Sequence, residues 1–208
     1  TRMKHDIILA KLKGKSVREM ASDTMRFSRG YLVSLRFEHT GFVSVRGRIR
    51  ISKKNGTISV GEFTDFWPDV KMSCNGKSNQ EARISIGERC SIGDRTEIHS
   101  GSLIQIGNGT MIAWDCVILD RDYHGIGNTQ EALKPVIIGS GVWIGCRGLV
   151  MKGVTIGDGA VIGAGSVVTS NIPPFTLAAG NPARVIREIK TAGIMARPPS
   201  LKITGSSQ

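Results

Sequence analysis

A strict six-residue repeat runs through the stretch from Val136 to Arg187. Aliphatic residues recur at positions 138, 144, 150, 156, 162 and 168, and a glycine follows at 139, 145, 157 and 163. An α-helix repeats every 3.6 residues and a strand every two, so neither produces this interval. A six-residue period is typical of a parallel β-helix, in which each hexad forms one short strand and one turn. We therefore predict an all-β fold in which three hexads make one triangular coil.

Burial is the physical reason for the repeat. One aliphatic side chain per hexad points into the coil, and stacked coils bury a column of isoleucine and valine that a single hexad could not bury alone. The glycine that follows is predicted to let the backbone turn a corner without a Cβ clash. Strand edges then remain only at the two ends of the stack.

The composition agrees with thin, tightly turned coils. The 208 residues, enough for one domain of ordinary size, include 26 glycines and only 5% aromatic residues. No apolar run is long enough to span a membrane, and no signal-peptide hydrophobic region is visible. The four cysteines, at positions 74, 90, 116 and 146, form no CxxC pair. This spacing disfavours a zinc ribbon or a redox motif and indicates a reduced, cytoplasmic compartment.

The formal net charge of +11 indicates an anionic partner, which could be a nucleic acid, a membrane surface or a polyanionic small molecule. Basic residues concentrate in the first 54 residues and after Ala183, and aromatic residues are not interleaved with them. A nucleic-acid platform is therefore disfavoured. Peripheral contact with an anionic surface such as the inner membrane face stays open.

Departures from the repeat divide the chain into three parts. Residues 1–42 are predicted to form a cap of one or two short helices, with Ser16 and Glu19 at capping-box spacing, followed by alternating strands in GYLVSLRFEHTGFVSVRGRIRI. Residues 43–175 are predicted to form the β-helix. Residues 176–208 are predicted to form a strand or short helix and then a mobile tail.

Two interruptions and one slip lie inside the repeat. The polar segment SCNGKSNQEAR is predicted to be a loop, and two extra residues near Ile104 are predicted to widen one corner. Residues 124–135 lack inward aliphatic residues at the right phase and end in Pro135, so they are predicted to form an extruded loop. Because the scaffold does not need this loop, we place the chemistry where His124 opens it.

Two segments carry a resemblance to a known family. They are DRDYH, before the loop, and the run VWIG…GVTIGDGAVIGAGSVVT…IPP…AAGNPARVI. Both resemble the hexapeptide-repeat acyltransferases, and most closely the sugar O-acetyltransferases, over residues 84–190 and more loosely over 43–83. The resemblance implies a left-handed coil, acetyl-CoA as co-substrate, no required metal, and a homotrimer with each active site between two prisms. It also implies acetyl transfer to a hydroxyl of a saccharide or glycan, as in modification of surface polysaccharides.

The resemblance implies that His124 is the general base. A sugar hydroxyl is too weak an acid to ionise at neutral pH, so a base must take its proton as the oxygen attacks a thioester, and imidazole suits this task. Asp122 or Asp120 could orient the imidazole, and Asp120 could instead bind a sugar hydroxyl. Both aspartates could equally be corner residues whose carboxylates cap the turn backbone. Further candidates for acceptor binding are Glu97, His99, Trp114 and Trp143.

The resemblance also implies where acetyl-CoA binds. A backbone N–H near Gly145 and Cys146 is expected to stabilise charge on the thioester oxygen, and small residues at Gly163 and Ala164 are expected to let the pantetheine lie against the backbone. Contacts to the nucleotide end are expected from Thr169, Ser170, Arg184 and Arg187. Ser170 stands where several relatives have a lysine. An acetyl-cysteine intermediate on Cys146 is the disfavoured alternative.

Three other functions compete with sugar O-acetylation. An acetyl-CoA-dependent acyltransferase of this fold could act on a non-sugar small molecule such as an antibiotic or an amino acid. A γ-type carbonic anhydrase would need three histidines around zinc, and only His99 and His124 lie in the strong repeat. A binding prism without catalysis is disfavoured by His124 and by the intact thioester-site residues.

Overall fold

The computed structural model describes residues 17–40, 42–125 and 127–190, and the repeats within them form a left-handed parallel β-helix. Within these residues one helix, α1 (Val17–Ser34), precedes twenty short strands. In chain order the strands are β1 (His39–Thr40), β2 (Ser44–Val45), β3 (Ile49–Lys54), β4 (Gly56–Val60), β5 (Asp65–Phe66), β6 (Val70–Asn75), β7 (Ala82–Ile86), β8 (Ser91–Ile92), β9 (Glu97–Ser100), β10 (Leu103–Ile106), β11 (Met111–Ile112), β12 (Val117–Leu119), β13 (Val136–Ile138), β14 (Trp143–Ile144), β15 (Leu149–Val150), β16 (Thr155–Ile156), β17 (Val161–Ile162), β18 (Val167–Val168), β19 (Thr176–Gly180) and β20 (Ala183–Glu188).

Three sheets form the faces of a triangular prism. Face A consists of β1, β4, β7, β10, β13 and β16; face B of β2, β5, β8, β11, β14, β17, β19 and β20; and face C of β3, β6, β9, β12, β15 and β18. The chain visits faces A, B and C in that order in each coil. The paired strands are parallel except β19 with β20. This is the stack of three-hexad coils that the period predicts.

The aliphatic repeat forms the interior of the prism. Ile112, Ile144 and Ile162 pair directly across three coils of face B, and all three are buried. Because each hexad supplies an equivalent inward position, parallel register places like side chains above one another. Aromatic packing contributes little: in the described part of the chain only Phe37 and Phe66 are buried aromatic residues.

The glycines after the aliphatic residues serve close packing rather than turning. A Cβ on Gly145 would lie 2.6 Å from the backbone nitrogen of Ala164 in the next coil. The left-handed turn residue lies two positions after such a glycine, as in Arg147 with φ 59° and Gly165 with φ 68°. The prediction that these glycines ease the corner is therefore wrong in its reason: they let neighbouring coils approach each other.

Three departures from the repeat lie at the corner between faces C and A. Residues 76–81 separate β6 from β7, residues 101–102 separate β9 from β10, and residues 120–135 separate β12 from β13. The extra residues before Ile104 widen this corner, as the sequence predicts, and both Ile104 and Ile106 are buried. Excursions from three successive coils are thus stacked along one edge of the prism.

Helix α1 covers the first coil. Phe27 and Gly30 lie on its inner side, where a Cβ on Gly30 would overlap the carbonyl oxygen of Val43. The strand prediction for residues 30–34 is wrong, because these residues continue a helix whose buried side has helical spacing. The capping-box prediction at Ser16 lies outside the described residues.

An antiparallel hairpin of β19 and β20 closes the other end of face B. The segment PARVIRE is therefore a strand and not the helix that was the alternative. The predicted mobile tail, residues 191–208, lies outside the described residues. No helix in the described part of the chain is long and apolar enough to cross a membrane.

Candidate active site

A buried carboxylate shapes the corner between faces C and A. Asp120 follows β12, is completely buried, and accepts hydrogen bonds from Ser100 Oγ (2.9 Å) and from the N–H groups of Gly101 (2.7 Å) and Ser102 (2.8 Å). Its oxygens are satisfied by the widened corner of the preceding coil. A carboxylate in this position cannot reach a sugar, so the prediction that Asp120 binds the acceptor is wrong. The alternative, a carboxylate that caps the turn backbone, is what the structure shows.

Tyr123 is held from three directions. Its hydroxyl lies 2.5 Å from Nδ1 of His99, and its ring lies 4.4 Å from the guanidinium carbon of Arg121. Its N–H donates to Oε1 of Glu131 at 3.0 Å. Its backbone is left-handed, with φ 67°, a conformation that non-glycine residues keep only where the surroundings support it. These contacts set the direction in which the chain leaves the corner, one residue before His124.

Glu131 anchors the far side of the loop. Arg121 donates two hydrogen bonds to its carboxylate, at 2.7 and 3.0 Å, and Lys77 from the excursion two coils earlier lies 3.4 Å away. Arg121 also donates to the carbonyl oxygen of Asn75 at 3.1 Å. Burial alone would raise the pKa of Glu131, but the hydrogen bonds from Arg121 and Lys77 outweigh it and hold this pKa below its ordinary value. The loop is therefore attached to the prism on both sides of its tip.

His124 is the residue that this anchored loop presents to solvent. It is exposed, and its imidazole has no hydrogen-bond partner within the described residues. Asp122, one of the two aspartates considered for orienting it, is ion-paired with Lys152 at 2.7 Å in the described chain, and its role toward His124 stays a prediction. An exposed imidazole with free nitrogens can accept a proton from a bound hydroxyl group, as a general base must.

His99 and Glu97 lie on the outer surface of face C beside Tyr123. Nε2 of His99 is 2.6 Å from Oε2 of Glu97, and Glu97 also pairs with Lys71 at 3.0 Å. Burial would raise the pKa of Glu97, but the hydrogen bonds from Lys71 and His99 leave this pKa below its ordinary value. With Tyr123 on Nδ1, both ring nitrogens of His99 are in use. His99 thus links Glu97 to Tyr123, and contact of either residue with an acceptor stays a prediction.

The corner between faces B and C carries the predicted thioester site. The N–H of Gly145 donates to the carbonyl oxygen of Ile162 at 2.8 Å, so it is not available to a substrate. The N–H of Cys146 makes no hydrogen bond within the described residues. The structure therefore corrects the predicted pair: Cys146 is the candidate donor to a developing oxyanion, and Gly145 serves the approach of the next coil.

The cysteines differ in exposure. Cys74, Cys90 and Cys116 are buried, whereas Cys146 is partly exposed. Burial raises the pKa of the Cys74 and Cys116 thiols to about 11, and it also raises the pKa of Cys90. These three thiols remain protonated and act as small apolar groups of the core. Cys146 is the one of the four that borders the outer surface.

Two arginines lie at the C-terminal end of face B. Arg184 and Arg187 are three residues apart in β20, which in a regular strand would place them on opposite sides. A bulge shifts the register between Leu177 and Ala178, so that Arg187 pairs with Leu177 and Arg184 with Ala179. Because Leu177 and Ala179 share the outer side of β19, both exposed arginines project outward. Within the described residues each guanidinium bonds only a carbonyl oxygen of its own strand, at 2.9 and 3.3 Å.

Small residues connect the thioester corner to these arginines. Gly145, Gly163 and Ala179 follow one another in successive coils, and a Cβ on Gly163 would lie 2.8 Å from the Cβ of Ala179. Ala164 is exposed beside them. An extended ligand with an anionic end could therefore lie along this edge with its backbone-facing part against the glycines and its phosphates near the arginines.

The remaining predicted residues are divided between two corners. Thr169 and Ser170 are exposed and follow β18, at the corner between faces C and A. Trp114 is exposed at the corner between faces B and C, and Trp143 is exposed on face B. The two tryptophans therefore lie on the side of the predicted thioester site, whereas Thr169 and Ser170 lie along the same corner as His124, two coils away.

Within one chain the predicted base, His124, and the predicted thioester site at Cys146 are separated. His124 follows a strand of face C, whereas Cys146 precedes the next strand of the same face. A face is four to five extended residues wide, which corresponds to about 15 Å. A general base must come within about 3 Å of the proton that it removes. The described chain therefore holds His124 and Cys146, the two predicted parts of the site, at opposite edges of face C.

The anchors of the loop were missed by the sequence reasoning. Tyr123 lies inside the quoted DRDYH segment. Arg121 precedes the loop and Glu131 lies within it, as an opposite-charge pair ten residues apart. That charge pair is a signal that the sequence contained. The participation of Lys77 was not visible, because its partner lies two coils away.

The fold and the two corners define this chain as a hexapeptide-coil prism that presents a histidine at one edge and a small-residue edge ending in arginines at another. A family model described as "Hexapeptide repeat of succinyl-transferase" matches residues 135–170. The chain is 34% identical over 165 residues to the galactoside O-acetyltransferase of Escherichia coli (strain K12), which covers 77% of this chain and 78% of that protein. The chain belongs to the hexapeptide-repeat acetyltransferases, which confirms the predicted family.

Solved structures show the same architecture. The maltose O-acetyltransferase from Clostridium difficile 630 is 33% identical, with a TM-score of 0.52 over 78% of this chain and 75% of that one. AntD, an N-acyltransferase from Bacillus cereus, superimposes with a TM-score of 0.66 over 79% of this chain and 91% of that one. At 22% identity, the likeness to AntD shows the fold alone.

Proposed function

We propose that this chain transfers an acetyl group from acetyl-CoA to a hydroxyl group of a saccharide by direct transfer, with His124 as the general base. The observation that carries the proposal is the exposed imidazole of His124, without a hydrogen-bond partner in the described chain, at the start of a loop that is anchored on both sides of its tip. Similarity to galactoside and maltose O-acetyltransferases supports a saccharide acceptor and acetyl-CoA as donor. Modification of a surface polysaccharide or another glycan is the proposed setting.

The proposed reaction has one nucleophilic attack. His124 takes the proton of the acceptor hydroxyl while the hydroxyl oxygen attacks the thioester carbonyl carbon. The C–S bond then breaks, and His124 passes the proton to the departing thiolate. The Cys146 N–H donates to the carbonyl oxygen as it becomes negative. The acceptor becomes an ester and free coenzyme A leaves, so no covalent enzyme intermediate is needed.

The donor edge fits coenzyme A. Gly145, Gly163 and exposed Ala164 offer backbone without bulky side chains, which suits a thin pantetheine. Arg184 and Arg187 project from the same end without carboxylate partners in the described residues, which suits phosphates. Thr169 and Ser170 lie on another edge of the prism, so they would contact the same coenzyme only from a neighbouring chain.

We also propose that the active form is a homotrimer. The separation of His124 from Cys146 by the width of face C supports this, because a base on one prism can meet a thioester on its neighbour when two prisms pack edge to edge. In such an assembly, each site would take its base from one chain and its oxyanion donor from the next.

The central experiment is a thiol-release assay with acetyl-CoA and a panel of sugars, nucleotide sugars and oligosaccharides. We expect His124→Ala to lower kcat by about 10²- to 10⁴-fold, since that is the usual contribution of a general base. Gln130→Ala, an exposed change in the same loop, is the matched control and should retain activity. Full turnover by His124→Ala would contradict the proposal.

The same assay separates direct transfer from a covalent route. If transfer is direct, Cys146→Ser keeps its backbone N–H and most of the turnover. Complete loss of turnover in Cys146→Ser, together with acetyl-protein detected by mass spectrometry in the parent protein, would show an acetyl-cysteine intermediate instead.

The competing metal-enzyme function finds no support in the donor set. Among the described residues, no cluster of three or more His, Cys, Asp or Glu side chains could hold a metal ion. His99 has both ring nitrogens engaged by Tyr123 and Glu97. With His99 engaged, His124 is the one histidine of the strong repeat whose ring nitrogens are free in the described chain, which disfavours the three-histidine zinc site of a γ-type carbonic anhydrase.

A further inference from the structure

The charge of this chain is concentrated in its N-terminal segment. The first 54 residues contain 14 lysines and arginines against 4 aspartates and glutamates, a net charge of +10 out of the total of +11. The described part of this segment forms helix α1 and the first coil. Residues 55–190 carry 12 lysines and arginines against 13 aspartates and glutamates, so the net positive charge of the described chain belongs to the helix and the first coil.

The same end exposes an uncharged helix face. At 3.6 residues per turn, seven residues of α1 fall within roughly 140° of its circumference, away from the prism. They are Met20, Ala21, Thr24, Met25, Ser28, Tyr31 and Leu32. Met25, Tyr31 and Leu32 are 55%, 68% and 64% exposed, and Leu35 just beyond the helix is 67% exposed. We call these eight residues the helix face.

Cations without carboxylate partners lie beside the helix face and in the first coil. Arg29 and Arg36 are exposed, and their guanidinium groups bond only carbonyl oxygens within the described residues, at 3.4 and 3.0 Å. Arg48 and Lys54 of the first coil are exposed and have no ion pair in the described part of the chain. Cations without carboxylate partners keep their charge available for an anionic ligand.

A groove joins the helix to these cations. It has a volume of about 370 Å³ and is lined by Arg29, Leu32 and Val33 from the helix side and by Val45, Arg48 and Ile49 from the first coil. Apolar side chains and two arginines therefore share one open depression. Asp23 does not oppose them, since it lies on the inner side of α1 and pairs with Arg26 at 3.2 Å.

We propose that the helix face and its bordering cations bind the surface of an anionic phospholipid bilayer. A helix lying in the bilayer interface needs an apolar side to enter the headgroup region and cations to meet anionic headgroups, and this end of the prism has both. Each lysine or arginine near such a surface adds to the attraction. The inference does not depend on acetyl transfer, since it rests on the cap and the first coil alone.

Two other occupants fit less well. A second copy of this chain on the same surface would bring two clusters of like charge together, which opposes association. A soluble polyanion would neutralise the cations but would leave Met25, Tyr31 and Leu32 in water. The bilayer interface satisfies the apolar and the charged groups in one contact.

The test is flotation of the full-length protein with vesicles of phosphatidylcholine alone or mixed with phosphatidylglycerol. We expect binding to the mixed vesicles at low salt, little binding to phosphatidylcholine alone, and release by raised salt. Met25→Asp combined with Leu32→Asp, and separately Arg48→Glu combined with Lys54→Glu, should each lower binding by about tenfold or more.

The matched control is Arg83→Glu combined with Arg89→Glu, which makes the same change in net charge outside the cap. Both side chains are more than half exposed, at 61% and 63%. Retained binding by this control supports the proposal, and equal loss would show that net charge alone matters. The proposal is overturned if the helix-face variant binds vesicles as the parent does. A change in its sedimentation mass with unchanged vesicle binding would instead assign this face to contact between copies of the chain.

Discussion

Asp120 and Asp122 are two residues apart in the sequence and have opposite environments. The carboxylate of Asp120 turns inward and receives three hydrogen bonds from the preceding coil, whereas that of Asp122 turns outward to Lys152. Two N–H donors that face Asp120 come from Gly101 and Ser102, the residues that widen the corner. The two extra residues before Ile104 therefore supply hydrogen-bond donors to the buried carboxylate of Asp120.

Asp120→Asn tests this assignment. The substitution removes the charge that three donors face and turns an amide NH₂ toward at least one of them, so we expect a loss of about 2–4 kcal/mol of folding free energy. Asp122→Asn, which breaks one partly exposed ion pair, should cost no more than about 1 kcal/mol. Urea denaturation of both variants measures the difference, and equal losses would contradict the structural role of Asp120.

Tyr123 is proposed as a positioning residue for His124. If that role holds, Tyr123→Phe keeps the ring on Arg121 but releases His99, and kcat should fall about tenfold. KM for acetyl-CoA should be unchanged, since Tyr123 contacts none of the residues proposed to bind the coenzyme. His99→Asn, whose amide oxygen can replace Nδ1, should retain more activity than His99→Leu.

A control for Tyr123 separates positioning from general damage. Thermal unfolding of Tyr123→Phe should be close to that of the parent protein, because its hydroxyl is at the surface of face C. If the lower kcat is accompanied by a lower melting temperature and a raised KM for acetyl-CoA, the role of Tyr123 is merely structural.

At the scale of the element, the extruded loop is a continuation of the two excursions beneath it. Arg121 bonds the backbone at Asn75, Lys77 approaches Glu131, and a Cβ on Gly101 would lie 2.9 Å from the Leu133 side chain. Three coils thus contribute to one support. A loop of this length would otherwise be mobile, so its fixed position comes from contacts with the two earlier coils and not from its own sequence.

The loop support should depend on pH in a defined direction. The pKa of Glu131 is lowered in the folded chain, so its contribution is complete above the ordinary glutamate value of 4.5 and is lost as the pH falls through the lowered folded value. We therefore expect hydrogen–deuterium exchange of residues 121–135, corrected for intrinsic rates, to rise only in that acid range. Glu131→Gln should show the faster exchange at neutral pH as well. An unchanged exchange rate in this variant at pH 7 would contradict the anchoring role.

At the scale of the whole molecule, the architecture was predictable because its information is local. Each hexad contains its own inward aliphatic residue, such as Ile138, Ile144 or Val150, and repetition of the hexad predicts the stack of coils. The position of the excursion before Ile104 was predictable for the same reason. The polar contacts between coils could not be predicted from the sequence.

The limits of prediction are clearest in the site. Asp120 meets donors 18 to 20 residues earlier, and Lys77 meets a carboxylate 54 positions later, so no local pattern records these pairs. The sequence predicted a strand from Gly30 onward, where helix α1 continues to Ser34, because a short apolar run is compatible with either a strand or a helix. The sequence could not distinguish the N–H of Gly145 from that of Cys146 as the oxyanion donor. The structure does, because the N–H of Gly145 already bonds the carbonyl oxygen of Ile162.

The antiparallel strand β20 has a consequence for how the molecule ends. A stack of identical parallel coils is open to indefinite growth, since each terminal edge is a template for another coil and ultimately for a fibre. Here β20 reverses direction at one end and presents the charged side chains of Arg184 and Arg187, while α1 covers the other. On face B, growth by addition of another parallel coil is thereby opposed at both ends of the stack.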